Sequence, residues 1–149
     1  MARSEHLPIY KRSYDLCLHL EQVVAGFPRY HKYAIGADLR AGARRVLRGV
    51  VRANSASDKA PTLRELRLEI EELKVLSRLA CDLKAFASLR AFEHVATMLV
   101  EIAKQNEGWL KSQGQGRNRP AMPQRLAGSG VPGSRGPSSA SQEANAKAL

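Results

Sequence analysis

Between Pro8 and Ala25, apolar residues recur at three- and four-residue intervals: Tyr10, Tyr14, Cys17, Leu20 and Val24, and one step round the helix Leu16, Val23 and Phe27. That period predicts a helix with a wide buried stripe. Gly26 followed by Phe27-Pro28 predicts its end, because glycine accepts a left-handed cap and proline cannot continue the hydrogen-bond ladder. After a short connection, Gly36-Ala37-Asp38 opens a second helix running to about Asn54, apolar at Ile35, Leu39, Val46, Leu47, Val50 and Val51. Gly42 and Gly49 lie on nearly one side of it and cost about 1 kcal/mol each relative to alanine. Close approach of another helix is the expected compensation.

The polar run Asn54 to Pro61 reads as a connection, and a third helix is expected from Pro61 or Thr62. Leu63, Leu66, Ile70, Leu73, Ser77, Ala80 and Lys84 trace a heptad that is apolar until its last position, flanked by Leu76, Leu79 and Leu83. A fourth helix is expected from an N-cap at Ser88 to about Lys111, with Phe92, Val95, Ala96, Leu99, Ile102, Ala103 and Leu110 inward. Helices of this length joined by short links predict an all-α fold, an antiparallel four-helix bundle over residues 1–112. From Gln113 the chain turns to Gly, Ser, Pro and Ala without periodicity, and residues 113–149 read as a disordered, weakly basic tail carrying Arg117, Arg119, Arg125 and Arg135.

Composition supports helices: hydrophobic residues make up 44% of the chain but aromatics only 5%, a poor supply for a sheet sandwich. The formal charge of +10 favours nucleic acid, an acidic protein surface or anionic lipid as partner. Its distribution is uneven. Residues 27–54 hold seven cations, Arg29, Lys32, Arg40, Arg44, Arg45, Arg48 and Arg52, against Asp38 alone, whereas residues 61–85 balance five basic with five acidic residues.

Arg40, Arg44, Arg48 and Arg52 stand four apart on the second helix, so three like-charge neighbours each destabilise it by about 0.2–0.5 kcal/mol. Arginine fills every rung, and its planar fork holds phosphates or carboxylates bidentately. Rungs about 6 Å apart suit the phosphates of a nucleic-acid strand, bound without sequence readout and with strong salt dependence. The competing reading has Glu65, Glu69 and Glu72, from this chain or a neighbouring subunit, neutralising the ladder. A membrane-surface role is weaker, because the apolar sides of these helices are committed to a core.

Chemistry beyond binding finds little support. His6, His19, His31 and His94 are scattered, Cys17 and Cys81 lack a metal or redox spacing, and no phosphate loop or nucleophile elbow is present. No catalytic residue, metal site or cofactor is therefore expected. Trp109 reads as a core or subunit contact, and His31 as a loop histidine without an assigned task. The N-terminal residues lack the apolar run of a signal peptide and no segment has the length of a membrane span, so the expected location is the cytoplasm.

Four stretches taken in order carry a resemblance: Phe27-Pro-Arg-Tyr-His-Lys-Tyr-Ala-Ile-Gly-Ala-Asp-Leu-Arg40, Leu47-Arg-Gly-Val-Val-Arg-Ala-Asn54, Leu73-Lys-Val-Leu-Ser-Arg-Leu-Ala-Cys-Asp-Leu-Lys-Ala-Phe-Ala-Ser88, and Gly108-Trp-Leu-Lys111. Together they resemble the accessory variability determinant (Avd) proteins of diversity-generating retroelements over roughly residues 8–112. The resemblance implies a four-helix protomer in a pentameric, barrel-like ring with no active site of its own. It implies binding to the retroelement's reverse transcriptase and template RNA, in support of mutagenic retrohoming, with Arg29, Lys32, Arg40, Arg44, Arg45, Arg48 and Arg52 as contact candidates for RNA, DNA or the polymerase. A related four-helix family, encoded in intervening sequences of ribosomal RNA genes, also opens its second helix after a Phe-Pro. It continues with a Ser-Ile-Pro-Ala-Asn-Ile-Ala-Glu-Gly type of motif, where this chain reads Ala43-Arg-Arg-Val-Leu-Arg-Gly-Val-Val-Arg52. That alternative keeps the fold and replaces the polymerase with self-assembly or a single protein partner.

Overall fold

A computed structural model describes residues 4–118. After a short 3-10 turn the helices are α1 (Pro8–Ala25), the single-turn α2 (Arg29–Lys32), α3 (Ile35–Ser55), α4 (Lys59–Asp82) and α5 (Leu89–Asn118), and the described residues contain no strand. The contacts described below lie within Met1–Gln113, one of two compact units into which the chain divides.

Pro8 is the first residue of α1, where its fixed φ suits the helix and its missing N–H would be unpaired in any case. The buried line is Ile9, Ser13, Leu16, Leu20 and Val24. Tyr10, Tyr14 and Cys17, expected inside, stand one residue round from it, and Tyr14 is exposed. Leu16, Leu20 and Val24 were expected in that line, Ile9 and the polar Ser13 were not, and Tyr10 and Cys17 pack half-buried against it. Gly26 ends the helix with φ −91° rather than in the left-handed region, and the chain turns through tight bonds from Gly26 N–H to Val23 O (3.0 Å) and Phe27 N–H to Val24 O (2.9 Å).

The left-handed position belongs instead to Lys84, at φ 63° after α4. Ala85 N–H donates to Ala80 O (2.9 Å) and Lys84 N–H to Cys81 O (3.0 Å), the paired bonds of a Schellman ending. Lys84 therefore closes the helix rather than extending the heptad, whose six earlier members are all buried. α4 begins at Lys59, earlier than Pro61, because a proline in the first turn removes an N–H that has no intrahelical acceptor. Lys59 Nζ reaches back to Asn54 O (3.0 Å) and Ala56 O (2.8 Å), satisfying carbonyls at the end of α3. Ser88 caps α5 as expected, accepting from Ala91 N–H at 3.1 Å, and α5 continues beyond Lys111 to Asn118. The rest of the segment expected to be a tail lies outside the described residues.

Side-chain pairs show that the four long helices run alternately up and down. On the α3–α4 seam, a Cβ at Gly42 would stand 2.9 Å from Leu73 Cδ1 and one at Gly49 2.9 Å from Leu66 Cδ1, so both glycines serve the close helix approach expected of them. Gly36 meets Val24 where α3 leaves the end of α1. α5 closes the bundle, through Arg12 Nε to Glu101 Oε1 (2.8 Å) and the edge-on rings of His19 and His94 (4.5 Å) on α1, and through Asn106 Nδ2 to Leu63 O (3.1 Å) on α4. Leu16, Leu20, Leu39, Val46, Leu66, Leu73, Leu99 and Ile102 are among the side chains sealed inside. One end is closed by a chain of rings, Phe27 on Phe86 (5.2 Å) and Phe86 on Phe92 (5.7 Å), which ties the α1–α2 corner to the α4–α5 corner.

Candidate nucleic-acid interface

An α-helix turns about 100° per residue, so each four-residue step of the arginine ladder advances about 40° round α3. The rungs therefore wind across the outer face instead of forming a straight stripe. Arg40 and Arg44 lean toward α1 and share one carboxylate, with Arg44 Nη2 at 2.5 Å from Glu21 Oε2 and Arg40 Nη1 at 3.6 Å from Oε1. Arg45 leans the other way, toward α4, and its Nε donates to Glu69 Oε1 at 3.0 Å. Arg48 and Arg52 are exposed and make no ion pair with any described residue.

The ladder is thus partly neutralised, and by one acid in each seam. Of the α4 acids weighed for this task, Glu69 takes it up; Glu65 and Glu72 are exposed and make no ion pair with a ladder arginine. Glu21 was not foreseen. It lies in a helix whose charges show no pattern, and only the antiparallel register of α1 and α3 brings it opposite Arg40 and Arg44.

Arg29 and Lys32 sit on α2, at the corner that leads into α3; Arg29 is exposed and Lys32 half-buried. The thirteen residue steps from Ile35 to Arg48 correspond to about 20 Å of helix. The seven predicted contact residues therefore fall into three sets: two at the corner, three tied to acids, and two open on the far half of α3. His31, expected on a loop, is part of α2, and its ring meets that of Tyr30 edge-on at 5.2 Å.

Burial pushes the Cys17 thiol above its ordinary value, with Arg44 pulling it back in part and Glu21 adding to the rise, so it stays a protonated thiol. Cys17 and Cys81 are both free and half-buried. Burial, and secondarily the charge of His94, lowers the pKa of His19. Arg67 grips Glu107 with two bonds of 2.7 Å and holds that carboxyl below its usual range. The pair stands beside a groove of about 500 Å³ between α4 and α5, lined by Ile70, Lys74, Val100 and Lys104 among others. Among the described residues, no cluster of three or more His, Cys, Asp or Glu could hold a metal, and no helix is long and apolar enough to cross a membrane. Trp109 packs half-buried against the core, beside Leu7, Pro8 and Ile9.

Pattern reading left out Leu68 and Val75 on α4 and took Leu79 and Leu83 only as flanks of the heptad, whereas all four face outward. Leu68 is 63% and Val75 67% exposed, and Leu79 and Leu83 continue this outward apolar line. These residues lie outside the inward heptad, and nothing in the amino-acid pattern distinguishes a leucine flanking a core from one turned away from it.

Comparison with known proteins gives one family match: the model of a family described as bAvd-like matches residues 7–113. No curated protein matches the chain.

Proposed function

Because this chain belongs to the bAvd-like family, a family of accessory proteins, we infer that it is a non-enzymatic accessory subunit of a diversity-generating retroelement. It binds the reverse transcriptase and the template RNA or its cDNA, and supports mutagenic retrohoming from the cytoplasm. The observation that carries the nucleic-acid part is the outer face of α3. Arg48 and Arg52 project there without an acid, on a helix that bears the cost of like-charged neighbours.

The protomers assemble into a ring, a pentamer on the family resemblance, through the outward apolar line of α4. Exposed Leu68, Val75 and Leu79 on one helix, with Glu71 and Glu72 among them, suit a subunit contact. The test of function is a pull-down of tagged protein from its host, with and without nuclease. A reverse transcriptase retained after nuclease supports the reading by direct protein contact. Recovery of only the protein itself, or of a ribosomal component, overturns it.

One observation favours a second reading, a self-assembling scaffold without a polymerase. Glu65 and Glu72 flank the α4 line and are exposed, so the α4 face of one copy complements the Arg48 and Arg52 face of the next. Two different faces in contact form a heterologous interface, which gives a ring where its rotation closes and a filament where it does not. Arg48→Glu separates the readings: it weakens RNA binding with the oligomer intact in the first, and dissociates the oligomer in the second.

A further inference from the structure

Tyr30 and Tyr33 are exposed to 79% and 69%, more than any other large apolar or aromatic side chain among the described residues. They flank His31 and Lys32 on the α2 corner, with Arg29 immediately before them. No acid occurs between Glu21 and Asp38. The ring contacts each makes are with its chain neighbours: Tyr30 with the His31 edge, and Tyr33 with Lys32 Nζ, 5.9 Å from the ring centroid.

The corner is anchored at both ends. Phe27 is buried against Phe86, Ile35 is buried at the start of α3, and between them Lys32 N–H donates to Pro28 O at 2.8 Å. A tyrosine has only two side-chain torsions to fix, so rings held on such a corner lose little entropy when a flat ligand covers them. Neither ring contributes to the core, so packing does not account for their presence.

The geometry points to Tyr30 and Tyr33 as a stacking platform for unpaired bases, with Arg29 and Lys32 holding the adjoining phosphates of the same single strand. Aromatic faces interleaved with cations are what a single-stranded nucleic acid recognises, and a duplex keeps its base faces occupied by stacking. A stretch of chain with no acid from Gln22 to Ala37 suits a polyanion. This inference rests on the nucleic-acid reading above and adds to it a preference for single strands and a site separate from Arg48 and Arg52.

The test compares binding of a labelled oligouridylate and of a blunt-ended RNA duplex by the full chain, by Tyr30→Ala/Tyr33→Ala and by Tyr30→Phe/Tyr33→Phe. Expected for the alanine variant is a loss of single-strand affinity of at least fivefold per ring, an unchanged salt slope and unchanged duplex binding. The phenylalanine variant should retain the wild-type preference, because it keeps the faces and removes only the hydroxyls. Wild-type binding matched by the alanine variant would refute the platform while leaving the nucleic-acid reading in place. Equal losses for strand and duplex, or loss of a protein partner with RNA affinity intact, would also overturn it. Absence of binding to either RNA by the unaltered protein at low salt would remove both.

Discussion

Replacing Arg48 and Arg52 together by alanine tests the proposed nucleic-acid contact and whether ion pairing within the protein decides which rungs of the ladder take part in it. Both side chains are free of described acids, so each can release a counterion when it meets a phosphate, about 0.7 in the slope of log K against log salt for a single strand. Their joint loss should flatten the slope by about 1.4, a roughly sevenfold smaller fall in affinity between 50 and 200 mM salt. Arg40 and Arg44 already share Glu21, so a phosphate there exchanges one anion for another, and their joint replacement should flatten the slope by less than half as much. Glu21→Gln should act in the opposite sense, freeing both arginines, raising affinity at low salt and steepening the slope. Unfolding would not confuse the result, because Arg48→Ala removes like-charge contacts with both Arg44 and Arg52 and should stabilise α3 slightly. The assay is fluorescence anisotropy with a labelled oligouridylate across that salt range. Equal flattening by the two double variants, or no response to Glu21→Gln, would show that the pairs seen on α3 do not control access.

Four further outcomes follow from single positions. Lys84→Gly should raise stability by about 1 kcal/mol in denaturant titration, since a side chain at φ 63° is strained and glycine is not. Gly36→Ala should destabilise by about 1–3 kcal/mol, because its Cβ would come 2.6 Å from Val24 Cγ1 and 3.0 Å from the His31 carbonyl oxygen in a packed corner. Ser88→Ala should cost about 1 kcal/mol through loss of the Ala91 N–H cap, read as a lower unfolding midpoint. The pKa of His19 is lowered in the folded protein, so the unfolded chain binds the proton more readily. Its contribution is full above the ordinary histidine value and is lost as pH falls through the lowered one. His19→Gln should therefore reduce the decline in stability between neutral pH and pH 5 seen by chemical denaturation.

The helices were legible because each long segment has one dominant period, and in α4 all six heptad members before Lys84, five apolar residues and Ser77, lie inside. In α1 and the turn after it the expected Leu16, Leu20, Val24 and Phe27 are buried, but Ile9 and the polar Ser13 were missed and Tyr14, expected inside, is exposed, because a tyrosine looks more apolar than it is placed. Gly26 drew the left-handed assignment that belongs to Lys84, since composition marks where such a residue is cheap but backbone geometry decides where one is used. The candidate site was legible only as a set of charges. Which of them are free depends on Glu21 and Glu69, and an acid on another helix carries no local sign of the seam it faces.

That division is a consequence of helix geometry as much as of sequence. A helix in a four-helix bundle has two neighbours and exposes only part of its circumference. Four rungs spaced by four residues cover about 120°, so such a ladder must begin near one seam and cross the outer face. Here it begins at the α1 seam, where Glu21 holds its first two rungs, and Arg45, off the ladder, is held across the α4 seam by Glu69. One acid at each seam therefore reduces repulsion along α3 without covering the middle of the face. Had the acids been interspersed along α3 itself, as they are along α4, the same helix stability would have been reached with no cation left to project. Placing the compensating charge on the neighbouring helices fastens the bundle while leaving Arg48 and Arg52 available to a polyanion, and that placement is why the slope of binding against salt, rather than the net charge, reports what this face is for.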